Sequence, residues 1–161
     1  MNSNHSLYAV TDMLVLNEKT KTWCKLPYPG HPRGCPNYGK KDICPPRAPD
    51  VRDVFDFNMH LSFVVVRFDL EAHVQKMHER LPHWSERQCR NLLYWQSSVT
   101  GTLKSTVKDL FRDGSITTYV PEAMGVDVFE TCKRLGIPIE RNPVKYVHKV
   151  ALVGRPKNET R

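Results

Sequence analysis

The apolar positions fall into two periods. "LYAVTDMLVL" (7–16) is β-branched and aromatic enough to predict a strand, and the polar "NEKTKT" after it predicts a turn. "HLSFVVVRFDL" (60–70) is apolar on both faces, which predicts an interior strand of a sheet covered on both sides. The period then changes to that of a helix. Glu71 to Leu81 suits a short helix stopped by Pro82. From Ser85 and Glu86 onward, Cys89, Leu92, Leu93, Gln96, Val99, Leu103, Val107 and Leu110 recur at helical spacing, with a kink or break expected at Gly101. "PEAMGVDVFETCKRLGIPIE" opens a further helix near Pro121 and closes it at Gly136, and strands are expected near 137–141 and 145–153. The order β, loop, β, α, α, α, β, β predicts a mixed α+β fold. Residues 1–154 form its single domain, with a small central sheet flanked by helices, and 155–161 form a flexible tail.

One stretch follows neither period. "WCKLPYPGHPRGCPNYGKKDICPPRAP" (23–49) holds three of the five cysteines and seven of the twelve prolines. Proline fixes φ and removes a backbone donor, so 27–49 reads as a long loop, and loops of that length in compact domains are usually functional. Thiolates are the ligands a soft or borderline ion needs, and proline and glycine let three sulfurs converge at small ordering cost. Cys24, Cys35 and Cys44 are therefore the candidate ligands of a metal or an iron–sulfur cluster. Ten residues separate the first two and eight the last two, unlike the close cysteine pairs of zinc fingers and ribbons. Proline follows Cys35 and Cys44, as it follows a cysteine in ferredoxin cluster loops.

Composition narrows the setting. A length of 161 residues fits one domain. No apolar run approaches the ~20 residues of a membrane helix, and "MNSNHSLYAV" lacks the pattern of a secretory signal. A cytoplasmic location is expected, where thiols stay reduced or bind metal. The net charge of +7 anticipates an anionic small molecule, a nucleotide-like substrate or nucleic acid. Lys25, His31, Arg33, Lys40, Lys41, Arg47 and Arg52 surround the cysteines against Asp42 and Asp50 alone. Lys40, Arg47 and His31 are the candidates to position or protonate a substrate. Tyr38 either stacks on a base or fills the loop's own core. The fourth metal position is left open, or is taken by Cys132, Cys89 or His31. Cys132 and Cys89 lie on apolar helix faces, where a free cysteine packs as a small hydrophobe. No phosphate loop, nucleophile elbow or His-Glu-x-x-His motif is present.

Gly34-Cys35-Pro36-Asn37-Tyr38-Gly39 and Cys44-Pro45-Pro46-Arg47-Ala48-Pro49, followed by "VPEAMGVDVFETCKRLGIPIE" (120–140), resemble the two signatures of a predicted metal-binding family, the domain of unknown function 2284. The resemblance covers about a third of the chain and implies metal or cluster binding by Cys24, Cys35 and Cys44. Two departures mark this chain. "KLPYPGHPRG" lengthens the gap after Cys24, and "RDGSITTYVPEAMG" lacks the family's second cysteine group, so one cluster is expected. The reading that follows is a [4Fe–4S] protein with three cysteine ligands and an open iron, an enzyme using the cluster as a Lewis acid, for example to remove or transfer sulfur. The alternatives are a zinc or iron–sulfur module that binds nucleic acid, and an electron carrier or redox sensor.

Overall fold

A computed structural model describes residues 4–26, 31–111 and 113–158. Residues 27–30 of the cysteine loop and 159–161 of the expected tail lie outside them. The fold is mixed α+β. The described residues form four strands, β1 (His5–Ala9), β2 (Ser62–Asp69), β3 (Ile116–Thr118) and β4 (Tyr146–Gly154). They make one antiparallel sheet in the order β1-β2-β4-β3. β2 and β4 pair along eight residues, from Ser62 opposite Val153 to Asp69 opposite Tyr146.

The pleat of these two interior strands divides the core. Phe63, Val65, Val150 and Leu152 face one side with Val10, Phe55, Leu61, Val126, Val128 and Cys132. Val64, Val66, Ala151 and Val153 face the other with Val74, Cys89, Trp95, Val99, Leu103 and Val107. Alternate side chains of a strand point to opposite faces, so both faces of β2 must be covered.

The second face is covered by helices. α1 (Val51–Val54) lies earlier in the chain, beside the loop. α2 (Leu70–Arg80) starts at Asp69, whose carboxylate accepts from the Ala72 N–H at 2.9 Å. α3 (Glu86–Cys89) begins in a capping box between Ser85 and Gln88. α4 (Gln96–Leu110) buries Val99, Leu103 and Val107 at four-residue intervals. The expected single helix is thus broken, but between Arg90 and Trp95 rather than at Gly101. Asn91 accepts from the Leu93 N–H at 3.0 Å, and the Trp95 indole N–H donates to the Arg90 carbonyl at 3.1 Å. Those bonds turn the chain so that Trp95 stacks on Phe68, ring centres 5.4 Å apart. α4 runs through Gly101 without interruption.

Other boundaries also differ from the sequence reading. β1 ends at Ala9, because Met13 and Leu14 N–H both turn back to the Val10 carbonyl at 3.0 Å. The "NEKTKT" segment is the start of a 3₁₀ helix, Glu18–Lys25, capped by Asn17. Pro121–Met124 is another 3₁₀ turn, closed by Gly125 at φ +96°, and α5 (Val128–Arg134) follows from its cap Asp127. No strand forms over 137–141, where Pro138 removes a donor while Ile137 packs into the core. Residues expected at the start of a tail are held instead: Asp56 N–H donates to the Arg155 carbonyl at 2.9 Å and Lys157 N–H to the Val54 carbonyl at 2.8 Å. Among the described residues no helix is long and apolar enough to cross a membrane.

Candidate metal centre

The cysteine loop lies on the first face of the sheet, and its two ends are tied together. Lys21 of the first 3₁₀ helix bonds Asp50 at 2.9 Å, and Arg52 joins Asp50 at 2.8 Å and Glu18 at 3.1 Å. Asp50 also caps α1 by accepting from the Arg52 N–H. The Arg52 guanidinium, above all, holds the Asp50 carboxyl well below the usual carboxylate range, and Lys21 adds to it. The 3₁₀ helix is anchored from below as well. Thr20 donates to the Glu122 carbonyl at 2.7 Å, and Asn17 N–H to the Gly125 carbonyl at 2.8 Å.

Within this frame a backbone bond joins the segments of two of the cysteines. Cys35 N–H donates to the Cys24 carbonyl at 2.6 Å. Gly34, at φ +83°, makes that approach feasible: a Cβ there would stand 2.4 Å from the Cys24 oxygen and 2.6 Å from the Lys25 carbonyl carbon. Tyr38 N–H then turns back to the Cys35 carbonyl, Gly39 N–H to the Pro45 carbonyl at 2.7 Å, and Ala48 N–H to the Cys44 carbonyl at 2.9 Å. The turns on both sides of Cys44 are thereby closed by backbone bonds. Lys25 sits over the ring of the half-buried Tyr38 at 4.8 Å.

All three thiols are half-buried and unpaired as disulfides. Burial pushes the Cys24 thiol's pKa up, and negative charge on Cys35, Cys44 and Glu122 pushes it further. The Cys24 thiol therefore senses both other sulfurs. Among the described residues no group of three or more His, Cys, Asp or Glu side chains is placed to hold a metal ion. As a donor set, three thiols on a backbone-closed loop suit a soft or borderline metal or a cluster.

The other sequence-derived candidates separate. Cys89 is fully buried in the core on the far face of the sheet. Cys132 is fully buried on the near face, its pKa pushed up to about 12 by burial and then by Glu122. His31 is half-buried, and its carbonyl accepts from the Gly34 N–H at 3.0 Å. Lys40 and Arg47 are exposed, Arg47 lying 3.8 Å from Asp42. Arg52 belongs to the Asp50 network and not to an open binding face.

Glu122 escapes sequence reasoning. Its carboxyl is desolvated, which pushes its pKa up against the pull of its own backbone N–H and of Lys149. It is the one acid whose charge reaches both Cys24 and Cys132 in the described residues. The only local signal is an acid flanked by Pro121 and Ala123 in an otherwise apolar segment. Beside it, Trp23 packs on Phe129 with ring centres 5.6 Å apart, and Arg141 lies over both rings at 4.7 and 4.9 Å.

Fold and site together define an antiparallel α+β protein that displays a three-thiol loop on one face of its sheet. No family model, curated protein or solved structure matches the chain.

Proposed function

We propose that Cys24, Cys35 and Cys44 hold an iron–sulfur cluster of the [4Fe–4S] type, and that the protein is an enzyme acting on an anionic or nucleotide-like small substrate. One observation supports the reading: the half-buried Cys24 thiol feels the charges of Cys35 and Cys44, which follow it along a proline-rich loop after successive gaps of ten and eight residues. When bound, such a cluster supplies a Lewis-acidic iron at the position no cysteine occupies. Cys132 stays in the apolar core, which leaves that position to substrate. Lys40 and Arg47, exposed beside Cys44, attract and orient an anion. His31, four residues before Cys35, supplies a proton to the leaving group. The reaction class is removal or transfer of a substrate sulfur.

Metal and acid-labile sulfide analysis with a visible spectrum, on protein purified without oxygen, tests the reading. About four iron and four sulfide per chain, lost in Cys35→Ser and Cys44→Ser, is the expected result. Loss of the cluster in Cys132→Ser would assign a fully ligated electron carrier or redox sensor instead. One zinc without sulfide would assign the second reading, a metal-rigidified loop whose exposed Arg33, Lys40, Lys41 and Arg47 meet nucleic acid. That reading requires an affinity falling steeply with salt.

A further inference from the structure

The helical face of the sheet carries a concavity of its own, separated from the cysteine loop by the sheet and both halves of the core. α2, the segment leading to Trp84 and the 3₁₀ turn Leu92–Tyr94 border a cleft of about 570 Å³. That size falls in the ~300–1,000 Å³ range of small-ligand sites.

Its walls combine two kinds of group. Trp84 and Tyr94 stand with ring centres 5.1 Å apart, tilted by 54°, and Tyr94 is 50% exposed. Lys76 and Arg80, four residues apart and so on one face of α2, line the same cleft, with Glu79 as the acid among the lining residues. Glu86 of α3 does not neutralise them, being bonded to His78 at 3.0 Å and Arg90 at 2.7 Å. His73 contributes a polar atom on the α2 side. Its Nε2 is buried and finds no hydrogen-bond partner among the described residues, and buried polar atoms are seldom left so. Burial pushes the His73 pKa down, outweighing the Cys89 carbonyl that the ring faces, and the charge of Lys76 adds to the depression. The ring is then neutral, and a neutral imidazole keeps one nitrogen as an acceptor.

Aromatic faces take any planar heteroaromatic ring, and paired cations take a phosphate. We propose that this cleft binds a nucleoside monophosphate, its base against Trp84 and Tyr94 and its phosphate on Lys76 and Arg80. The site is independent of the metal centre, because none of its lining residues belongs to the cysteine loop.

Tryptophan fluorescence of the full chain, titrated with adenosine 5′-monophosphate, adenosine and inorganic phosphate, tests this. Adenosine monophosphate should quench saturably with a Kd below about 1 mM. Adenosine should bind about tenfold more weakly or worse, since it lacks the charge-assisted contacts. Inorganic phosphate should compete without quenching. Trp84→Phe, which keeps an aromatic ring but removes the indole fluorophore, should abolish the quench, and Lys76→Ala with Arg80→Ala should raise the Kd at least about tenfold. Glu79→Gln removes the opposing charge from an exposed helix position and should tighten binding about two- to threefold. That gain is readable even where an alanine variant folds poorly. Absence of a saturable quench, equal affinity for adenosine, or a quench that survives Trp84→Phe would overturn the proposal.

Discussion

The two faces of the sheet bury similar aliphatic residues from alternate positions of β2 and β4, yet they are covered in different ways. On the helical face, α2 and α4 lay apolar stripes on the strands, and Val99, Leu103 and Val107 do this by helical period alone. On the loop face the cover is two 3₁₀ helices, the four-residue α1 and the short α5. These are too short to hold themselves, and are pinned by polar contacts distant in sequence: Thr20 to the Glu122 carbonyl, Val15 N–H to the Thr131 hydroxyl at 3.0 Å, Asp127 N–H to the Val15 carbonyl at 2.8 Å. Both faces bury an apolar core, but the loop face depends in addition on individual donors, acceptors and a glycine, and it is the face that presents three thiols.

The largest expected effect comes from attacking buried area. Leu103 is fully buried, and Leu103→Ala should cost about 3 kcal/mol of global stability through lost transfer energy and a residual cavity. Because Leu103 lies across the sheet from the cysteines, the folded fraction of this variant should load the proposed cluster in the same ratio as the parent. Urea unfolding together with metal analysis checks both halves; a folded variant that loads no metal would show that the faces are coupled.

Gly34→Ala attacks geometry instead. The new methyl meets two backbone atoms within 2.6 Å and sits at positive φ, so the Cys24–Cys35 bond has to open. A destabilisation of about 2 kcal/mol or more is expected, concentrated in the loop, with loading of the proposed cluster lost before global folding is. Hydrogen exchange of the Cys35 amide relative to β2 amides reads this directly. Uniform deprotection of both would contradict a local effect.

The same contrast explains what the sequence makes legible. Period-2 and period-3.6 patterns are local, so β2, α2 and the stripe of α4 can be read from residues next to one another. Gly136 as the end of α5 is equally local, since it needs positive φ. The loop-face elements are not local. The 3₁₀ helix Glu18–Lys25 has an unremarkable polar sequence, and Thr20 finds its acceptor 102 residues away. β3 spans three residues and pairs only with the end of β4. The segment at 137–141 reads as a strand because Ile137 and Ile139 alternate, whereas they pack against the core on either side of Pro138. At the site, the three cysteines stand out by their proline context, while Glu122 does not, because its environment is made by Cys24, Cys132 and Lys149 from three other segments.

A smaller effect, visible through pH, is expected at the clamp that closes the loop. The Asp50 side chain is 16% exposed, and its folded pKa is depressed below an unfolded value of about 3.9. A depressed carboxyl stabilises the fold above its unfolded pKa and loses that contribution as pH falls toward the folded one. Arg52, the main cause of the depression, is 58% exposed, so solvent screening reduces its share of the gain, and Lys21 and the cap on α1 add theirs. Asp50→Asn should therefore lower stability by about 1–2 kcal/mol at pH 7. The gap from the parent should shrink as pH drops below about 4. Urea midpoints across pH measure it, and a gap that does not change with pH would remove the charge from the explanation.

Gly101→Ala returns to the helical face with the opposite sign. Gly101 is interior to α4, exposed, and has nothing within 4 Å of where a Cβ would stand. Alanine there removes unfolded-state freedom without a clash, so stability should rise by about 0.5–1 kcal/mol. The two glycine substitutions add the same methyl group and should move stability in opposite directions. Their double mutant tests the comparison: effects adding to within about 0.5 kcal/mol are expected for distant, independent sites. A larger deviation would mean that the helical face senses the loop through the sheet.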